Sequence, residues 1–127
     1  MKILAFPSKP QPDLPPTTEL HIQRAIVDLL TRAARPGIAW THMPSGELRH
    51  PAIAGKLKGM GTKAGWPDLL LVRHGKMYGL ELKTATGRIS PAQASAHADL
   101  ELAGATIAVT HGLDAAIFML REWEMIR

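Results

Sequence analysis

The chain has 127 residues, 46% of them hydrophobic, and no cysteine, with a formal net charge of +4. That is enough chain for one domain with its own core, and the composition excludes a disordered tail, disulfides and thiolate metal sites. The basic excess favours a polyanionic partner; no apolar run approaches the ~20 residues that cross a bilayer, and Met1–Phe6 is too short for a signal-peptide core, so a cytoplasmic protein is expected.

Residues 1–16 hold five of the ten prolines: Pro7, Pro10, Pro12, Pro15 and Pro16. Proline fixes φ and lacks a backbone donor. A proline-rich arm is therefore expected to run extended ahead of a single domain over 17–127. Ile3, Leu4 and Phe6 give the arm apolar side chains that dock on the body or on a second subunit, or fray with it.

A helix is expected after Pro16, capped by Thr17 or Thr18. Ile22, Ile26, Leu29, Leu30 and Ala33 form its apolar stripe. Carried back one turn, the stripe meets Glu19, which places a carboxylate on the core-facing side of the first turn. An acid there suits the helix dipole, but a carboxylate turned inward needs a partner. Gln23 follows one turn later, where it orients Glu19, touches a substrate or is an ordinary polar helix residue. The helix is expected to stop near Pro36-Gly37. Ile38–Met43 reads as a short strand and Pro44-Ser45-Gly46 as a turn.

His50–Met60 reads as a short helix started by Pro51, with Ile53, Leu57 and Met60 inward. Arg49, Lys56, Lys58 and Lys63 then form a basic cluster. Neutralisation of phosphates by lysine and arginine supplies most non-specific affinity for nucleic acid; solvated surface charge is the plainer reading of each residue alone.

Two apolar runs follow, Leu69–Val72 and Met77–Lys83, split by a glycine-containing turn at Arg73-His74-Gly75-Lys76. This pattern reads as a β-hairpin. Side chains alternate along a strand, so Glu81 and Lys83 share one face while Leu80 and Leu82 share the other. Asp68, after the rigid Pro67, opens the partner strand. The hairpin therefore gathers two carboxylates and an ammonium on one side of a sheet. A hard cation such as Mg²⁺ takes carboxylate oxygens, water and phosphate as ligands. Such an ion polarises a phosphodiester and activates a water, and a lysine beside it offsets developing charge. The chemistry that uses this set is hydrolysis of nucleic acid. The plainer reading is a turn aspartate beside a solvated strand face.

Ser90-Pro91-Ala92-Gln93 is a capping box with proline at the first helical position. The helix it opens is expected to turn Ala96, Leu100 and Ala103 inward and to end at Gly104. His97, one turn past Gln93, either reaches the hairpin site or is structural. Thr106–Thr110 reads as a strand. A last helix carries Leu113, Ala116, Ile117, Leu120 and Trp123 at helical spacing. The order of elements predicts an α/β fold, a mixed sheet flanked by helices.

Pro67-Asp68 followed by Glu81-Leu82-Lys83 looks like the PD-(D/E)xK nuclease signature. Taken with Lys56-Leu57-Lys58-Gly59-Met60-Gly61, Gly65-Trp66 and Gly87-Arg88-Ile89-Ser90-Pro91-Ala92-Gln93, the pattern resembles the VRR-NUC family (virus-type replication-repair nucleases) from about Glu19 to the C-terminus. The resemblance implies a restriction-endonuclease-like fold. It further implies a metal-dependent DNA endonuclease of DNA repair, structure-specific for branched DNA such as Holliday junctions, working as a homodimer. Asp68, Glu81, the Leu82 carbonyl and Glu19 would hold Mg²⁺ or Mn²⁺. Lys83 would position or activate the attacking water, and Gln93 would orient that water or a phosphate. Arg88, in a glycine-basic turn, would contact phosphate as the cluster of Arg49, Lys56, Lys58 and Lys63 does. The chain departs from the family at Pro44-Ser45-Gly46-Glu47, where an acid replaces the usual second glycine. It departs again at Trp66, where a smaller residue is usual; Trp66 stacks on a base or caps the core. The alternative is a catalytically silent DNA-binding module of the same fold, against which the full set of Asp68, Glu81 and Lys83 argues.

Overall fold

The computed structural model describes residues 1–6, 17–44 and 50–127. The five prolines of the arm, Arg49 and the Ser45–Glu47 departure lie outside them. The elements are β1 (Lys2–Ala5), α1 (Glu19–Ala33), β2 (Ala39–His42), α2 (Pro51–Gly59), β3 (Leu69–Arg73), β4 (Lys76–Lys83), α3 (Pro91–Leu102), β5 (Thr106–His111) and α4 (Leu113–Glu122). The strands form one mixed sheet in the order β1-β5-β4-β3-β2. β1, β5 and β4 run parallel, and β3 and β2 are antiparallel to their neighbours.

The β3–β4 hairpin closes through two residues, His74 and Gly75, both at positive φ (51° and 74°). Two left-handed residues make the tight turn whose twist matches that of the strands. Parallel strands need a crossover, and α3 makes it between β4 and β5. The alternation of β4 then sorts the molecule into layers. Leu80 and Leu82, with Leu69, Leu71 and Ala108, meet Ile22, Ile26 and Leu30 of α1 and Ala116, Met119 and Leu120 of α4 in one buried cluster. Each of its Leu, Ile and Met side chains stabilises the fold by about 1.5–3 kcal/mol on burial. The opposite face carries Gly79, Glu81 and Lys83 of β4 and lies under α3, which buries Ala96, His97 and Leu100.

The cap of α1 is Thr18, whose hydroxyl oxygen accepts the His21 N–H at 3.2 Å. Three expectations fail in detail. The first residues of the arm enter the sheet: β1 pairs with β5 from Lys2↔Ala108 to Ala5↔His111, so the sheet reaches ahead of residue 17. Phe6 then meets Phe118 edge-on, ring centroids 5.6 Å apart. On α2, Ile53 and Met60 are 44% and 74% exposed and no residue is buried. Their spacing is helical, but a single row of three apolar residues buries nothing without an opposing face. Ala33 and Ala103 are exposed as well, Ala33 at the end of α1 and Ala103 as the residue that caps α3. Among the described residues no helix is long and apolar enough to cross a membrane.

Candidate active site

Leu69 pairs with Leu80 across the hairpin, so Asp68, one residue earlier, falls opposite Glu81. β3 begins at Leu69, and beyond that point β4 has no ladder partner on this side. The Asp68 side chain takes its place: Oδ2 accepts the Leu82 N–H at 2.7 Å. The N–H and C=O of one strand residue leave on the same side. The Leu82 carbonyl is therefore directed toward Asp68 too, past the end of β3. The neighbouring residue faces the other way, and the Lys83 carbonyl accepts the Gly112 N–H at 2.8 Å.

The approach to Asp68 is built on two glycines. A Cβ on Gly79 would stand 2.6 Å from Pro67 Cγ and 2.7 Å from Ile107 Cδ1, so only glycine leaves room for Pro67 against the sheet. Gly65 has φ +84°, and a Cβ there would lie 2.3 Å from the Ala92 carbonyl oxygen. The chain before Asp68 thus rests directly on the first turn of α3. Behind Asp68, its carbonyl accepts the Met43 N–H at 2.8 Å.

The two carboxyls are close enough for each to act on the other's titration. Burial is the main cause that pushes Asp68 up from 3.8 to about 8, and the neighbouring Glu81 adds to it; the Leu82 N–H and Lys83 oppose. Burial likewise raises Glu81, which is 1% exposed. Lys83 is 7% exposed, a charge enclosed in the protein. Its Nζ stands 3.6 Å from Glu19 Oε1, and its stem packs on Gly87, where a Cβ would lie 3.3 Å away. Glu19 itself is half-exposed at the rim, brought there by the first turn of α1.

A part-buried and a buried carboxyl side by side, with a backbone carbonyl directed toward the same place, suit a hard divalent cation. Asp68, Glu81 and the Leu82 carbonyl are the donors that fit. Among the described residues no group of three or more His, Cys, Asp and Glu is clustered; Glu19 stands at the rim with its Oε1 3.6 Å from Lys83 Nζ.

The remaining site expectations divide. Gln93 closes the capping box: its Oε1 accepts the Ser90 N–H at 2.9 Å and its own N–H donates to Ser90 Oγ at 3.1 Å. Only its Nε2 is left for a substrate. Gln23 turns to His42 instead of Glu19, with Nε2 2.9 Å from His42 Nδ1, and that ring nitrogen lies 3.2 Å from the Asp68 carbonyl oxygen. Sequence reasoning missed His42, because nothing local marks a contact made across 26 residues. Lys56, Lys58, Lys63 and Arg88 are all exposed. Trp66 is half-buried and borders a cavity of about 490 Å³ with Lys63 and one flank of α3.

No family model matches the chain and no curated protein matches it. Solved structures do, and two of them are similar over most of the chain. A "VRR_NUC domain protein" superposes with a TM-score of 0.71 at 25% identity, over 88% of this chain and 93% of that one. A "VRR_NUC domain" superposes with a TM-score of 0.56 at 18% identity, over 84% of this chain and 97% of that one, and this second likeness speaks for the fold alone. The mixed five-stranded α/β sheet with its four helices matches them. The fold of this chain is that of a VRR-NUC domain, a nuclease fold.

Proposed function

We propose that the chain is a metal-dependent nuclease that hydrolyses DNA phosphodiester bonds. The observation that carries this reading is the buried Glu81 carboxyl facing the part-buried Asp68 across the hairpin, with the enclosed Lys83 ammonium on the same strand. Holding like groups together and a charge out of water is costly, and such costs concentrate where chemistry needs them.

Asp68, Glu81 and the Leu82 carbonyl would hold Mg²⁺ or Mn²⁺. Such an ion supplies a Lewis acid and a bound water of lowered pKa. Asp68 is kept in place by the Leu82 N–H, and β4 brings Glu81 opposite it. Lys83 offsets negative charge as it develops on the phosphate and orients the attacking water. Glu19 steers the Lys83 ammonium at the rim, and Gln93 offers its Nε2 to that water or to a phosphate oxygen. Lys56, Lys58, Lys63 and Arg88, with Arg49, hold the DNA backbone.

Branched DNA, such as a four-way junction, is the proposed substrate. A chain of this size cuts one strand per subunit, so paired cuts on a symmetric junction call for a two-fold homodimer.

Cleavage of a labelled four-way junction with Mg²⁺, Mn²⁺ or EDTA tests the reading, with Asp68→Ala run beside the wild type. Metal-dependent cutting that disappears in the variant is expected. A retained gel shift with no cutting under either metal would replace the nuclease by a binding module. Equal cutting of junction and linear duplex removes the branched-DNA preference, and a monomer by light scattering, with and without DNA, removes the dimer.

A further inference from the structure

On the catalytic face of the sheet α3 buries one polar side chain between Ala96 and Leu100. It is His97, 1% exposed. Its Nε2 lies 3.4 Å from Glu81 Oε1. Both atoms are fully buried, and neither has a hydrogen bond that meets strict geometry. A buried polar atom left unpaired costs about 1–3 kcal/mol, so these two atoms, enclosed and facing each other, are each other's available partner. The second ring nitrogen, Nδ1, faces Met1 Sδ at 3.1 Å. A thioether is a weak acceptor. Of the two groups that flank the ring, the Glu81 carboxylate is by far the stronger claim on an imidazole N–H.

We propose that His97 is a positioning residue for Glu81. Its Nε2–H donates to Oε1 and so turns the other carboxylate oxygen toward Asp68, where the paired carboxyls meet. The strand alone cannot do this, because a glutamate has three rotatable side-chain bonds and the backbone of β4 fixes none of them. The helix that crosses the sheet supplies the missing constraint. This rests on the metal-dependent reading above, and it adds a residue outside the Asp68, Glu81 and Lys83 set. Groups that orient a ligating carboxylate typically account for 10–100-fold in metal affinity or activity.

The test compares His97→Leu, which fills the space without a donor, with His97→Gln, whose amide N–H reaches the place of the ring Nε2. The readouts are Mn²⁺ affinity of the DNA-free protein, from the free-ion signal in electron paramagnetic resonance, thermal melting without metal, and the Mg²⁺ concentration for half-maximal junction cleavage. His97→Leu is expected to bind Mn²⁺ at least about 10-fold more weakly and to need correspondingly more Mg²⁺. His97→Gln should recover most of both. Wild-type Mn²⁺ affinity in His97→Leu overturns the proposal, as does an equal loss in both variants, which would mark a packing role. Should His97→Leu not fold, His97→Asn serves in its place: its donor falls short of Glu81, so Asn must lose affinity where Gln retains it. Wild-type protein that binds no Mn²⁺ is a separate result; it overturns the metal-dependent reading itself and this inference with it.

Discussion

Asp68 Oδ2 accepts the backbone N–H of Leu82 at 2.7 Å, and this bond ties the entrance of one hairpin strand to the far end of the other. It closes the edge that β4 exposes where β3 begins. It also fixes the Asp68 carboxyl on the side of β4 where Glu81 lies opposite. Asp68→Asn keeps a carbonyl oxygen to accept the same N–H but removes the ionisable group. We expect a folded protein of wild-type secondary structure by circular dichroism. Its cleavage should fall at least about 10²-fold, the scale lost when one electrostatic stabiliser is removed from a site. Cutting at the wild-type rate would remove Asp68 from the chemistry.

The same pair makes stability depend on pH. Asp68 is raised by burial from 3.8 to about 8, and Glu81 is raised by burial as well. In the unfolded chain both lose their protons near pH 4, whereas folded Asp68 keeps its proton to about pH 8. The folded state then binds more protons over that window, so stability falls as pH rises through it. The contribution is whole below about pH 4 and gone above about pH 8. Urea melts in EDTA across this range should show the decline in the wild type and a flatter profile in Asp68→Asn. A ligand that binds only the folded state stabilises it, so Mg²⁺ added near the upper end of the window should restore the wild type and leave the variant unchanged. Identical profiles for the two proteins would contradict the assignment.

Gly65 and Gly37 separate strain from contact. Both sit at positive φ, +84° and +86°, where a side chain costs about 1 kcal/mol or more. A Cβ on Gly37 meets nothing within 4 Å, whereas one on Gly65 would stand 2.3 Å from the Ala92 carbonyl oxygen. Gly37→Ala should therefore lose only the conformational term. Gly65→Ala should lose about 1–3 kcal/mol more, with lower activity per folded molecule, because Pro67 and Asp68 move with the displaced backbone. Equal melting shifts would show that α3 gives way.

Much of this site could be read in the sequence because its geometry is local. Asp68, Glu81 and Lys83 lie on one hairpin, and the two-residue turn with strand alternation dictates that they meet on one face. The Ser90–Gln93 capping box is likewise complete within four residues. What stayed hidden depends on distant chain. Gln23 finds His42 and not Glu19, Lys2–Ala5 pairs with a strand a hundred residues away, and no rule of spacing contains either contact. Proline crowding at 7–16 suggested an arm, yet the four residues of β1 precede the prolines and keep their backbone donors. The apolar spacing of α2 marks a helix but not a buried one, since periodicity reports a face and not what covers it.

Exposure separates Lys83 from the other three lysines near the site. Lys56, Lys58 and Lys63 are exposed, as is Arg88, while Lys83 is 7% exposed with its Nζ 3.6 Å from Glu19. A charge in solvent that neutralises a phosphate releases a counterion, and each such contact adds about 0.9 to the slope of log affinity against log salt. Alanine at any one of the four exposed positions should lower that slope by about this amount and leave turnover at saturating DNA near the wild-type value. Lys83→Met should do the reverse. Its ammonium is already enclosed and paired, so DNA binding displaces few ions from it and the slope should barely move. Turnover should fall at least about 10²-fold, because the charge acts on the reacting phosphate. Fluorescence anisotropy over a salt series in EDTA, beside single-turnover cleavage in Mg²⁺, measures both quantities. A Lys83→Met protein that loses salt slope and keeps its turnover would make Lys83 a binding residue and leave the carboxyl pair without its cation.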